Sequence, residues 1–285
     1  MRAEIQAFFD DATFTVSYLV GDPATKTAVV IDPVLDYDPK SGRTSTASAD
    51  AILEAAKRGD WRIAFVLETH VHADHLSSGA HIRAKTGAKI VIGEHVTDVQ
   101  RTFAPVFNTE LVPTEQDFDQ LVRDGETFKV GGLDVEVMFT PGHTPACVGY
   151  KIGDAVFVGD TLFMPDYGTA RTDFPGGDAR TLYRSIRRIL SLPGETRLFM
   201  CHDYKAPGRD AYAWETTVTE QRARNVHIKD GIGEDAFVAM RTARDKTLQM
   251  PVLILPSIQV NVRAGRLPEA ESNGVSYLKI PLNKL

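Results

Sequence analysis

Within the stretch ETHVHADHLSSG (68–79), His70, His72, Asp74 and His75 crowd into six consecutive positions. At the end of a strand, alternation projects His70 and His72 the same way. Asp74 and His75 then open the next turn. Three more residues of the same types stand after apolar, β-like runs: His143 in TPGHTP, Asp160 in VGDT and His202 in MCHDY. Five of the chain's eight histidines thus sit at strand ends beside carboxylates. Imidazole and carboxylate together are the ligands of borderline transition metals. A lone histidine usually caps an element or satisfies a core. An HxHxDH cluster with three further strand-end partners points to a metal centre instead. Asp74 has a second available role, as a helix N-cap. The other histidines lack such company. His81 is expected on a helix surface, His95 at a helix start and His227 in solvent.

The elements that must position these residues are legible as hydrophobic runs. ATFTVSYLV (12–20) and TAVVID (27–32) read as strands around the turn-like GDPATK. A long polar loop is expected over 33–48, then a helix over 49–59, capped by Ser48 and stopped by Gly59. RIAFVLET (62–69) is a nearly continuous apolar run, as in a buried strand, and it delivers the histidine cluster at its C-terminal end. A helix over 75–87, a strand over 89–93 and helical periodicity near 95–107 follow. Strands with glycine turns fill the region from 126 to 163. An amphipathic helix over 178–192 places Leu182, Ile186 and Ile189 on one face. A strand over 196–204 carries His202. Helices near 214–224 and 233–247 precede a mostly irregular extension from about 250. Strands and helices in both halves predict an α+β fold with two sheets sandwiched between helices. No linker divides the chain, so residues 1–285 are expected to form a single domain.

Composition excludes several classes. A net charge of −6 with no Lys/Arg block argues against nucleic acid. The longest apolar runs, such as PVLIL (251–255), fall short of a membrane span. The start, MRAEIQAFFDD, lacks the apolar segment of a signal peptide. Two cysteines without a CxxC, Cys147 and Cys201, fit a reducing cytoplasm better than a disulfide framework. Each is a buried thiol or a neighbour of the active site, since each adjoins a motif above.

Taken in order, the HxHxDH cluster, the later histidine, the aspartate and the last histidine resemble the metallo-β-lactamase superfamily, over nearly the whole chain. The resemblance implies a four-layer αββα sandwich of two mixed β-sheets flanked by helices, with the metal at one edge between the sheets. The superfamily spans lactamases, thioester hydrolases, nucleases and persulfide dioxygenases, so the fold alone gives no reaction. Within it the chain is similar to the persulfide dioxygenases in their bacterial, β-lactamase-like form. The alanine of HADH, the stretch GTARTDFPGGDARTLYRSI (168–186), CHDY (201–204) and NVRAG (261–265) carry that likeness. One departure is GTAR, which stands where the group's motif reads GCGR and so lacks its cysteine.

That likeness implies one Fe(II) per chain, held by His70, His143 and Asp160. Two neutral imidazoles and one carboxylate are the facial triad of non-haem iron oxygenases, which leaves about three octahedral positions open. The implied reaction oxidises glutathione persulfide with O2 and water to sulfite and glutathione, as in hydrogen sulfide detoxification. His72, Asp74, His75 and His202 then hold ligand tautomers and water. If they bind a second metal instead, the alternative is a zinc-dependent glutathione thioester hydrolase of the hydroxyacylglutathione hydrolase kind, with Zn2+ as cofactor. Substrate contacts are implied for Thr144, Tyr204, Arg263 and Arg171, the last because its planar fork suits a carboxylate. Arg171 has a competing role as the ion-pair partner of Asp173 or Asp178. A rhodanese-type sulfur donor, a homodimer and a cytoplasmic location complete the expectation. A sulfur- or metal-sensing protein without turnover is the non-enzymatic alternative.

Overall fold

The computed structural model describes residues 2–109 and 117–284. The first half builds β1 (Glu4–Asp10), β2 (Thr15–Asp22), β3 (Thr27–Ile31), β4 (Val34–Asp38) and β5 (Arg43–Ser45). It continues through α1 (Ala47–Arg58), β6 (Arg62–Leu67), β7 (Leu76–Ser77), α2 (Gly79–Thr86), β8 (Lys89–Gly93), α3 (Val96–Phe107) and β9 (Gln120–Val122). The second half builds β10 (Thr127–Val130), β11 (Leu133–Phe139), β12 (Val148–Ile152), β13 (Ala155–Phe157), α4 (Ala179–Ile189) and β14 (Arg197–Phe199). Next come β15 (Glu215–Thr217), α5 (Val218–Arg224), α6 (Glu234–Asp245) and α7 (Ile254–Asn261).

Among the described residues the strands form two six-stranded sheets, ordered β1-β2-β3-β6-β8-β9 and β10-β11-β12-β13-β14-β15, and a small sheet β5-β4-β7. Both large sheets are mixed. In the first, β1, β2 and β3 are antiparallel, while β3, β6, β8 and β9 run parallel. In the second, only β13 and β14 run parallel.

The two-residue period of a strand sorts the side chains into layers. On β3, Val29 and Ile31 pack between the sheets, while Ala28 and Val30 face the helices of the first half. On β13, Ala155 and Phe157 face inward and Val156 faces outward. Outside the first sheet lie Ile52 of α1, Ile82 of α2 and Phe103 of α3. Outside the second lie Leu182 and Ile186 of α4 and Phe237 of α6. The result is the four-layer αββα sandwich, α+β in class, with inner strands such as β2, β3 and β13 buried on both faces. No described helix is long and apolar enough to cross a membrane.

Several expectations need correction. The polar loop over 33–48 contains the β4–β5 hairpin, and α1 begins at Ala47 with Thr46 at its N-cap. Ser48 does not cap that helix; its hydroxyl donates to Asp36 Oδ1 at 2.6 Å. Asp74 is no N-cap either, because Leu76–Ser77 pair with β4 and α2 starts only at Gly79 after Ser78. The strand over 196–204 is only three residues, Arg197–Phe199. The extension after 250 contains α7. His81 lies on α2 beside Asp50, and His95 stands at the N-cap of α3. His227 is half-buried rather than solvated: its Nδ1 accepts from the Thr169 amide at 3.1 Å.

Candidate metal centre

The site forms where strands of both sheets end together. Asp32 follows β3, His70 follows β6, Asp160 follows β13 and His202 follows β14. The Val16 amide donates to the Cys201 carbonyl at 2.7 Å, and a bridge between Thr15 and His202 ties the first sheet to the second at this edge. Two glycines make the approach possible. Gly142 has φ +137°, and a Cβ there would lie 2.4 Å from the backbone of Leu182 on α4. Gly159 has φ +51°, and its Cβ would lie 2.7 Å from Thr69 Oγ1. A side chain at either position would push His143 or Asp160 away from His70.

Two donor sets result. His70, His143 and Asp160 bring one ligand atom each within 4.8 Å of one another. His72, Asp74, His75 and His202 do the same beside them. His143 Nδ1 lies 2.8 Å from the carbonyl oxygen of Arg171, so it must donate, which leaves Nε2 as a lone-pair donor. That Nε2 lies 3.6 Å from Asp160 Oδ2. His70 Nδ1 contacts Thr69 Oγ1 at 3.0 Å, and Thr69 donates its hydroxyl and amide to Asp32 at 2.8 and 2.7 Å. His72 is turned the other way, with Nε2 3.0 Å from Asp32 Oδ1 but without hydrogen-bond alignment. His202 Nδ1 faces the Phe14 carbonyl at 3.3 Å, and its Nε2 lies 3.1 Å from Asp74 Oδ2 and 3.4 Å from Asp160 Oδ1.

Burial sets the protonation. It holds His70 and His72 well below the ordinary imidazole range, so both are neutral, the form that binds metal. Burial raises Asp160. Burial pushes Asp74 upward, but His202, His75 and His72 outweigh it and hold Asp74 well below the carboxylate range. His202 shows the reverse balance: burial lowers it, and Asp74 with Asp160 raises it.

A cation fits this cluster. His70 Nε2, His75 Nε2, His202 Nε2, Asp74 Oδ2 and Asp160 Oδ1 are buried with no hydrogen-bond partner among the described residues. Each such atom costs about 1–3 kcal/mol when unsatisfied, and native folds rarely collect them in one place. Neutral imidazoles and carboxylates aimed at common points are what a divalent transition metal requires.

The profile of the "Metallo-beta-lactamase superfamily" matches residues 10–202. The chain belongs to the metallo-β-lactamase superfamily. Its His/Asp cluster is the divalent metal site of that superfamily. Among relatives, a probable metallo-hydrolase of Burkholderia pseudomallei is 55% identical, over 99% of each chain. A beta-lactamase hydrolase-like protein of Xylella fastidiosa is 52% identical over 99% of this chain, which spans 65% of that protein's length. The human mitochondrial persulfide dioxygenase ETHE1 is 30% identical over 92% of this chain and 88% of its own. The crystal structure of ETHE1 from Myxococcus xanthus superposes with a TM-score of 0.74 at 32% identity, over 92% of this chain and all of that one.

In this superfamily member the metal site floors a cavity of about 530 Å3, walled by Phe14, Phe163, Tyr167, Phe174, Tyr204 and Leu253. Tyr204 stacks on His202 at 5.6 Å between ring centres. Arg171 also lines the cavity, but its fork is closed on Asp173, with Nε and Nη2 at 2.6 and 2.8 Å, and its Nη1 donates to the Gln249 carbonyl. Two residues expected to contact substrate, Thr144 and Arg263, are not among those lining this cavity. Thr144 turns its hydroxyl into its own turn, toward Cys147 Sγ and the Ala146 amide. Arg263 lines a separate cavity of about 190 Å3 beside α3 and α7. Both cysteines are buried free thiols, and Cys201 also faces Asp32 at 3.6 Å.

Sequence reading missed Asp32, Glu68 and Asn261. Asp32 is a buried carboxylate in the left-handed region (φ 47°), beneath His72 and Thr69. Its signal was a charge closing the apolar run TAVVID. Burial, reinforced by Asp32, pushes the Glu68 carboxyl up to about 8, and its Oε1 accepts from the Ser77 hydroxyl. Asn261, in the NVRAG stretch, donates to the His72 and His75 carbonyls at 2.8 and 2.7 Å and accepts from the Ser77 amide at 2.7 Å.

Proposed function

We propose that this chain is an iron-dependent persulfide dioxygenase, which oxidises glutathione persulfide with O2 and water to sulfite and glutathione. The observation that carries the reading is the division of the histidines. His70 and His143 converge with Asp160, while His72 falls in the other donor set, with its Nε2 3.0 Å from Asp32 Oδ1. Two imidazoles and one carboxylate suit a ferrous ion and leave coordination open for small reactants. Bound there, Fe(II) supplies the redox chemistry that joins O2 to the outer sulfur. In the overall change that sulfur is oxidised, O2 is reduced, water supplies the third oxygen of sulfite, and the thiol leaves.

The chain's own residues prepare this reaction. The Arg171 carbonyl fixes the His143 tautomer, and burial keeps His70 neutral. Phe163, Tyr167 and Tyr204 form an aromatic wall that limits water at the metal. The 30% identity to human persulfide dioxygenase and the likeness to the Myxococcus structure support the same reading. We propose Asp74, His75, His202 and His72 as the residues that orient this shell and its water.

The rival reading is a zinc-dependent hydrolase of a glutathione thioester. One observation favours it: the second donor set also converges within 4.8 Å. The 55% identical relative bears a hydrolase name. An oxygen electrode with glutathione persulfide, run beside a glutathione thioester assay, separates the two. Oxygen uptake matched by sulfite is expected. Thioester cleavage without oxygen uptake would assign the hydrolase.

A further inference from the structure

The cavity above the metal has an unequal set of cations. Arg171, Arg241 and Arg244 all line it. Arg171 is closed on Asp173 and the Gln249 carbonyl. Arg241 is 1% exposed and fully engaged, with Nη2 2.6 Å from Asp245 Oδ1 and Nη1 on the Thr169 carbonyl at 3.0 Å. The same Asp245 accepts from the amide and hydroxyl of Thr172, so it has nothing left for a neighbour. Arg244, in the last turn of α6, is exposed, and its guanidinium has no carboxylate or carbonyl partner among the described residues. Leu248, Gln249, Pro251, Val252 and Leu253 line the same cavity, and all but Gln249 are apolar. Val252, 86% exposed, and Leu248, 37% exposed, leave apolar surface on the cavity that holds the open guanidinium.

A guanidinium on an apolar rim, with its five donors uncommitted, is a planar receptor for a carboxylate. A pair at this exposed position gains strength only when the bound ligand also covers the apolar side chains of the mouth and displaces their water. We infer that Arg244 is the anchor for a carboxylate of the thiol-bearing substrate, and that it takes the role expected of Arg171. The inference rests on the proposal that the cavity receives a glutathione-derived sulfur compound. It names the specificity element: a carboxylated thiol carrier is held at the α6 end of the cavity, with its sulfur directed to the metal floor.

Glutathione binding tests this without turnover, because the carboxylates are the same whatever happens at sulfur. Calorimetry on the metal-loaded protein compares glutathione with its diethyl ester, on wild type, Arg244→Gln and Arg244→Lys. Arg244→Gln is expected to weaken glutathione about tenfold or more, the loss of one charge-assisted bidentate contact. The ester should bind wild type more weakly than the acid and lose little further in Arg244→Gln, because both changes remove the same pair. Arg244→Lys should recover part of the loss. Equal affinity of wild type for acid and ester overturns the assignment, and so does an equal loss of both ligands in Arg244→Gln. A wild type that binds no glutathione overturns it too. Absent oxygen uptake alongside intact, Arg244-dependent glutathione binding would instead strike only the dioxygenase reading.

Discussion

Asn261 turns each polar group of its amide toward the histidine loop. Its two donors hold the His72 and His75 carbonyls, and its oxygen holds the Ser77 amide. Replacing it with alanine strands three buried backbone groups, at about 1–3 kcal/mol for each one left unpaired. Asn261→Ala should fold less stably and hold metal about ten- to a hundredfold less tightly, as measured by chelator competition. His227 makes a second residue-level prediction. Burial, with Arg241 and Arg244 nearby and Asp245 opposing them, pushes it down from 6.5 to about 4. Its folded pKa is depressed, so the unfolded chain takes up the proton first. Stability should therefore fall as pH drops from about 6.5 toward about 4. Urea melts across that window should show a shallower loss for His227→Gln; an identical slope would remove His227 as the cause. The HxHxDH residues were legible because their spacing is unusual. Asp32 was not, since one aspartate closing TAVVID looks like any strand end, and only the folded chain brings it beneath His72. Arg171 is a different case: pairing with Asp173 was one of the roles its sequence offered, and the folded chain shows its fork closed there.

Helix α6 holds the loop that holds the metal ligand. Arg241 and Asp245, one turn apart, grip the Thr169 carbonyl and the Thr172 amide. Between them the Arg171 carbonyl accepts from His143. Asp245→Ala leaves Arg241 buried and unpaired, and should cost about 3–5 kcal/mol and lower the melting temperature by several degrees. Replacing the pair together, as Arg241→Met with Asp245→Leu, should cost much less; an equal cost would show that the ion pair is not what fixes this loop. Helix α6 was foreseen near 233–247, as was α4 with its apolar face, because their periodicity is strong. The β4–β5 hairpin was not, because the apolar alternation in VLDYDPKSGRTS is only Leu35 and Tyr37, and the partners that bury them, Leu76 and Val260, lie far along the chain. Helix α2 was foreseen too early, because Leu76 and Ser77 obey that sheet pairing before local helix preference.

The layers come together only when distant segments meet at one edge, from Thr15 to Asn261. We propose that residues 1–285 fold as one domain, with α7 an integral part. Its Ile254 and Ile258 join the core under the first sheet, and the Gln100 amide donates to the Val262 carbonyl. A chain ending at Met250 should lose cooperative unfolding and metal retention together. A truncated form that melts cooperatively with metal bound would place the domain boundary earlier. The fold class was readable from alternating runs, whereas the joining of two sheets at a metal edge depends on pairings that no local window contains. The most direct test of the whole account is the metal itself. Elemental analysis of protein purified without oxygen should find one iron per chain and no zinc; two zinc ions per chain, filling both histidine sets, would contradict it.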